Sequence, residues 1–74
     1  MTHPEFDPEY VFTHHATTPE KLARYDALHS AAKAFAEVIL AQVPPSEDRR
    51  AALTLVREAT MMANAAIALD GRLK

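Results

Sequence analysis

Apolar side chains return every three or four residues at Tyr25, Leu28, Ala32, Phe35, Ile39 and Val43. That is the period of a single stripe along an α-helix. The stripe predicts a helix over about residues 19–42. Thr17 and Thr18 can each cap its start, Pro19 suits the first helical turn, and Glu20 sets a negative charge against the positive end of the helix. Pro44 and Pro45 stop it, because proline has no N–H and disfavours the helical region at the preceding residue. Ser46 then caps a second helix over about 46–70, with Glu47 and Asp48 in its first turn. Arg49 stands where a reciprocal capping box needs Glu or Gln. Gly71 ends this helix, with Arg72 and Lys74 near its C-terminus. So short a linker makes the helices antiparallel neighbours.

The second helix is apolar around more of its circumference. Ala52, Leu55, Val56, Ala59, Met62, Ala63, Ala66, Ile67 and Leu69 cover an arc of roughly 200°, against the roughly 100° that one packing partner requires. One hairpin cannot cover that arc, so the pattern predicts self-association, with alanines allowing close helix approach. Residues 1–18 carry Pro4 and Pro8 and no helical period. They are expected to form an extended arm, with a turn at "DPEY". The expected fold is all-α: an N-terminal arm over 1–18 and an antiparallel two-helix hairpin over 19–71, assembled into a homo-oligomer.

Composition narrows the class. Seventy-four residues make one domain that buries little surface, and with no cysteine there is neither a disulfide nor a thiolate metal site. Oligomerisation is the usual substitute for such staples. Apolar content is 49%, much of it alanine, with a single glycine, which favours helices over sheet. The formal charge of −2, with both signs scattered, lacks the basic face of a duplex-DNA binder. No apolar run is long enough to span a bilayer, and the first ten residues lack the basic start of a signal peptide. A cytoplasmic protein is expected.

Candidate chemistry begins with "FTHHA". His14 and His15 are adjacent, so on an extended arm they point to opposite sides and cannot both chelate one ion. No HxxxH pair supplies a two-ligand platform, and no metal or cofactor is expected. One histidine packing on the hairpin while the other faces water is the plain alternative. There is no GxSxG, no glycine-rich phosphate loop and no cysteine nucleophile, and Ser46 is accounted for as a cap. An enzyme would need residues assembled across subunits. Two groups offer more. Tyr25, His29 and Lys33 climb one edge of the first helix at i, i+4 and i+8, an edge onto which an arm bearing Phe12, His14 and His15 could fold. On the second helix Arg57, Thr60, Met61 and Asn64 share a face. Rings, cations, a hydroxyl and an amide suit a nucleotide, whose bases stack and whose phosphates attract cations. The same residues also admit a plainer reading: Tyr25 at the core edge, Arg57 paired with a nearby acid, Asn64 merely exposed.

The ordered set "FTHHA", "RYDALHSAAKAFAEVIL", "PPSEDRRAALTLVREA" and "MMANAAIA" resembles the small hairpin domain of phage anti-CBASS and anti-Thoeris sponge proteins, over roughly residues 10–69. The resemblance implies a helical oligomer, from dimer to hexamer, that holds cyclic nucleotide immune signals unbroken between protomers. Such ligands are cyclic dinucleotides, cyclic trinucleotides or cyclic ADP-ribose isomers. Phe12 and His15 match that family's Phe-x-Tyr-His arm, Arg24 and Tyr25 its Arg-Tyr pair, Lys33 a helix lysine, and Met61, Ala63 and Asn64 its Met-Trp-Ala-Asn run. His14 stands where tyrosine is usual, His29 where arginine is usual, and Met62 where tryptophan is usual. His29 gives up a permanent cation.

The expected function is therefore non-catalytic sequestration of a cyclic nucleotide in the cytoplasm of an infected bacterium, with contacts from Phe12, His14, His15, Arg24, Tyr25, His29, Lys33, Arg57, Thr60 and Asn64. The alternative is a helical-hairpin interaction module with no small ligand.

Overall fold

A computed structural model of the chain describes residues 5–72. Residues 1–4 of the arm and Lys74, expected near the end of the second helix, lie outside the described residues. Three helices follow in order: α1 (Pro8–Phe12), α2 (Pro19–Gln42) and α3 (Glu47–Ala68).

Local chemistry sets each boundary. Thr18, in extended conformation, accepts a hydrogen bond from the Lys21 backbone N–H at 3.2 Å, and Pro19 opens α2 behind it. At the other end the Val43 N–H still donates to Ile39 O at 2.9 Å, after which the prolines allow no further helical bond. In the loop the Ser46 hydroxyl donates to Pro44 O at 3.1 Å and accepts from the Arg49 N–H at 3.1 Å. Arg49 replaces the reciprocal half of a capping box by another route: its guanidinium donates to Val43 O at 3.3 Å, tying α3 back to the end of α2.

The second long helix ends two residues before the expected point. Asp70 N–H donates to Ile67 O at 3.2 Å and Gly71 N–H to Ala66 O at 2.7 Å, the paired bonds of a Schellman turn. The left-handed position that stops the helix belongs to Asp70, at φ 54°, with Gly71 following at φ 74°. Aspartate tolerates that conformation better than most residues.

The arm departs from the extended expectation over Pro8–Phe12. Asp7 accepts from the N–H groups of Glu9 and Tyr10 at 3.1 and 3.4 Å, and Pro8 occupies the first turn, so a short helix forms at "DPEY". Five residues cannot hold a helix by themselves. The arm is fastened instead to the C-terminal end of α3. Tyr10 Oη donates to Leu69 O at 2.9 Å, and the Arg72 guanidinium lies 4.3 Å from the Tyr10 ring centre. From α2, Lys21 Nζ donates to Ala68 O at 3.3 Å and meets Asp70 Oδ2 at 3.5 Å. The phenol and the ammonium thus add side-chain donors at the end of α3, one at Leu69 O, which also accepts from the Arg72 N–H at 3.0 Å, the other at Ala68 O.

The helices form one layer. The molecule measures 49 × 28 × 15 Å, so its thinnest dimension is close to that of a single helix with its side chains. A domain core normally lies between two layers. Here, among the described residues, the only buried apolar side chains are Ile39 and Leu69, at 7% and 8% exposure. Phe35 on the expected stripe of α2 is 58% exposed, and Leu55 and Met62 on α3 are 64% and 74% exposed. Leu22, Val38 and Leu40 are exposed off the stripe, so α2 is apolar on more than the one face its periodicity indicates.

Replacing Tyr10 by Phe removes the bond to Leu69 O while keeping the ring. It should lower stability to denaturant by about 1 kcal/mol at fixed protein concentration. Amide hydrogen exchange should quicken at residues 8–12 while the middle of α2 and α3 is unaffected; unchanged protection in the arm would show that this bond does not fasten it.

Candidate ligand-binding groove

Where α2 and α3 run side by side, the small or slender residues Ala32, Val56 and Thr60 form a thin seam that borders a groove on each side. One groove, of about 590 Å³, is apolar, with Leu28, Phe35, Ile39, Leu55, Ala59 and Ala63 among its walls. The other, of about 380 Å³, is lined by His29, Lys33, Arg57, Thr60, Met61 and Asn64 over a floor that includes Ala36 and Leu53. Its volume lies within the range of small-molecule sites. Hairpin register brings the two candidate groups together: His29 and Lys33 stand one turn apart on α2, and Arg57, Thr60, Met61 and Asn64 face them from α3.

The charges of this groove are unbalanced. No carboxylate lines it. Among the described residues neither Lys33 nor Arg57 has a carboxylate within ion-pair distance, so the pairing of Arg57 with a nearby acid is not realised. Two cations without a counter-charge, facing a concavity, make a local positive field in a chain of net negative charge. Thr60 Oγ1 donates to Val56 O at 2.8 Å, one turn back, and keeps its lone pairs free to accept.

Asn64 is half-buried, in place of the exposed position its spacing allowed. Its Nδ2 lies 3.1 Å from His29 Nε2, and its Oδ1 is buried with no hydrogen-bond partner.

The remaining candidates lie elsewhere in the single chain. Tyr25 is half-buried and Arg24 exposed, and neither lines the groove. Phe12 is 80% exposed, its ring 6.0 Å from that of Phe6. His14 is exposed. His15 packs edge-on to Tyr10 with ring centres 4.7 Å apart, and its Nε2 lies 2.7 Å from Tyr10 O. His15 thus packs on Tyr10 of the arm itself, not on the hairpin as the plain alternative had it, while His14 is exposed. The arm does not close on the Tyr25–His29–Lys33 edge of its own chain; Tyr10 fastens it instead to Leu69 O at the end of α3. Tyr10, which makes that attachment, and Lys21, which ties α2 to the same end of α3, escape a reading by local period: their partners are 59 and 47 residues away.

The fold and groove define a class: a single-layer helical hairpin with a cationic groove on one side of its seam and a bare apolar groove on the other. This chain belongs to the Acb2/Tad1 hairpin-domain family, whose model matches residues 7–68. The match runs from the capping residue of α1 to the last residue of α3. No curated protein and no solved structure matches the chain. Among the described residues no helix is long and apolar enough to cross a membrane, and no three His, Asp or Glu side chains are grouped as a metal ion would require.

Proposed function

We propose that the protein sequesters a cyclic nucleotide signal of bacterial anti-phage defence, binding it between protomers and releasing it chemically unchanged. The observation that carries this reading is the convergence of Lys33 and Arg57, both without counter-charge, beside His29, Thr60 and Asn64 in one groove. Family membership supports a cyclic nucleotide as the ligand, and cyclic dinucleotides, cyclic trinucleotides or cyclic ADP-ribose isomers are the classes proposed. Lys33 and Arg57 hold phosphate oxygens by charge-assisted hydrogen bonds. Thr60 and Asn64 offer polar groups to a base edge. Phe12, His14, His15, Arg24 and Tyr25 do not line the groove in one chain, so a ligand touching both sets lies where two chains meet. Assembly is also what the bare apolar groove favours. Seating a second copy there removes Phe35 and Leu55 from water, each worth roughly 1.5–3 kcal/mol when fully buried. The place of action is the cytoplasm of the infected host. The apolar groove alone would equally serve an interaction hairpin with no small ligand; native mass spectrometry against a panel of cyclic nucleotides separates the two readings.

Three outcomes test the proposal. Light scattering at micromolar concentration should find an oligomer and no stably folded 8.2 kDa monomer. Ala63→Glu, which sets a charge in the apolar groove, should disrupt it. A folded, monodisperse monomer of the native chain would remove the site between protomers. Second, a bound cyclic nucleotide should be recovered intact after heat denaturation of the complex, whereas linear products accumulating with protein and time would make the protein an enzyme. Third, Lys33→Ala should weaken binding by about ten- to a hundredfold, the equivalent of roughly 1.5–3 kcal/mol for a charge-assisted contact, with the oligomer intact; unchanged affinity would place the phosphate elsewhere.

A further inference from the structure

We propose that Met61 is an oxidation site that sets the anion affinity of the cationic groove: as the sulfoxide, its added oxygen takes hydrogen bonds from the Arg57 guanidinium that a phosphate would otherwise receive. This inference rests on the groove being an anion site, as argued above, and adds to it a control by redox chemistry.

Met61 differs from the other apolar walls of the groove. Ala32, Ala36, Leu53 and Val56 are half-buried, whereas Met61 is 56% exposed. Its side chain stands open to an oxidant arriving from solvent. Arg57 lies one turn back on α3, at the i, i+4 spacing that sets β-carbons about 5–6 Å apart. Lys33 faces both from α2, no carboxylate lines the groove, and neither cation has an acid within ion-pair distance among the described residues. A thioether is only a weak acceptor, so reduced Met61 leaves the donors of Arg57 to a ligand.

Oxidation changes the acceptor. A lone pair on Met61 Sδ attacks hydrogen peroxide, the O–O bond breaks, an S–O bond forms and water leaves; the sulfur is oxidised and the peroxide reduced. The S–O dipole places partial negative charge on the new oxygen, beside a guanidinium that has no counter-charge. A hydrogen bond from an ionised donor is stronger than one between neutral groups, so a phosphate has to compete with the sulfoxide for Arg57. The groove then holds anions less well.

The next residue supplies the contrast. Met62 is more exposed, at 74%, but stands about 100° further around the helix and lines neither groove. One turn back from it is Glu58, a carboxylate, where Met61 has Arg57. Exposure makes both methionines oxidisable. Only at Met61 does the new oxygen meet a cation of the groove.

The test uses the full-length protein with hydrogen peroxide as oxidant and inorganic pyrophosphate as probe, and peptide mass spectrometry locates the added oxygen. In Met62→Leu, oxidation of Met61 should weaken pyrophosphate binding by about tenfold, at unchanged particle size by light scattering. Methionine sulfoxide reductases of both epimer types, with a dithiol, should restore the affinity. In Met61→Leu, peroxide-treated and untreated protein should bind alike although Met62 is oxidised. Without ligand, the Arg57 Nε–H signal in nitrogen-15 NMR should shift when Met61 is oxidised and return on reduction. Unchanged affinity or an unmoved Arg57 signal with Met61 oxidised would overturn the inference. So would a Met61 that resists peroxide while Met62 reacts, an equal loss of affinity in Met61→Leu, or a loss that appears only as the assembly dissociates. Failure of cyclic nucleotides to bind, with pyrophosphate still bound, would remove the sponge reading and leave this one standing; no binding of pyrophosphate to the reduced protein would overturn the anion site and this inference with it.

Discussion

Everything in this molecule follows from a pair of helices with no second layer to pack against. Burying apolar surface stabilises a fold only when there is something to bury it under, and a hairpin offers each helix one neighbour. The α2–α3 seam buries Ile39 nearly completely and leaves Phe35 and Leu55 facing solvent. A chain of this length has little interior surface in any arrangement. The single hairpin therefore leaves much of its apolar surface uncovered, and the apolar groove is part of that surface. The cationic groove inherits its shape from the same seam, since its floor is the other side of the same contact.

What could be read from the residues in order was what depends on neighbours in the chain. Thr18-Pro19, Val43-Pro44-Pro45 and Ser46 mark helix ends by short-range hydrogen bonding and fixed φ, and α2 starts and stops, and α3 starts, at those marks. The excess apolar arc of α3 was legible from period alone, and the structure leaves much of that arc exposed. The five residues of α1 were marked only as a turn, because a segment so short shows no period; the Asp7-Pro8 cap was its one signal. The end of α3 was misplaced by two residues because Asp70, ahead of the glycine, takes the left-handed position.

The site was legible in halves. Spacing put His29 with Lys33 and Arg57 with Asn64, and only the register set by the four-residue loop shows that the halves face each other. The partner of Asn64 is 35 residues away, and no local rule pairs an asparagine with a histidine at that distance. The arm illustrates the same limit. Its histidines drew attention as the unusual feature, yet Tyr10 fastens it, through the carbonyl of Leu69 just past the end of α3. Helix termini create demands for hydrogen bonds that distant residues answer, and those demands are invisible until the termini are placed.

Ala32, Val56 and Thr60 are walls of both grooves at once. The two surfaces therefore have three wall residues in common. Pressure on Thr60 from the apolar side bears on the same atoms that border the cationic side. Any change in affinity transmitted this way is reciprocal: an occupant of one face that alters binding at the other by some factor has its own binding altered by that factor. In so slight a molecule there is no distance over which a signal needs to travel. The partition, a methyl, an isopropyl and a back-bonded hydroxyl, is the one element through which an occupant of either face would be felt at the other.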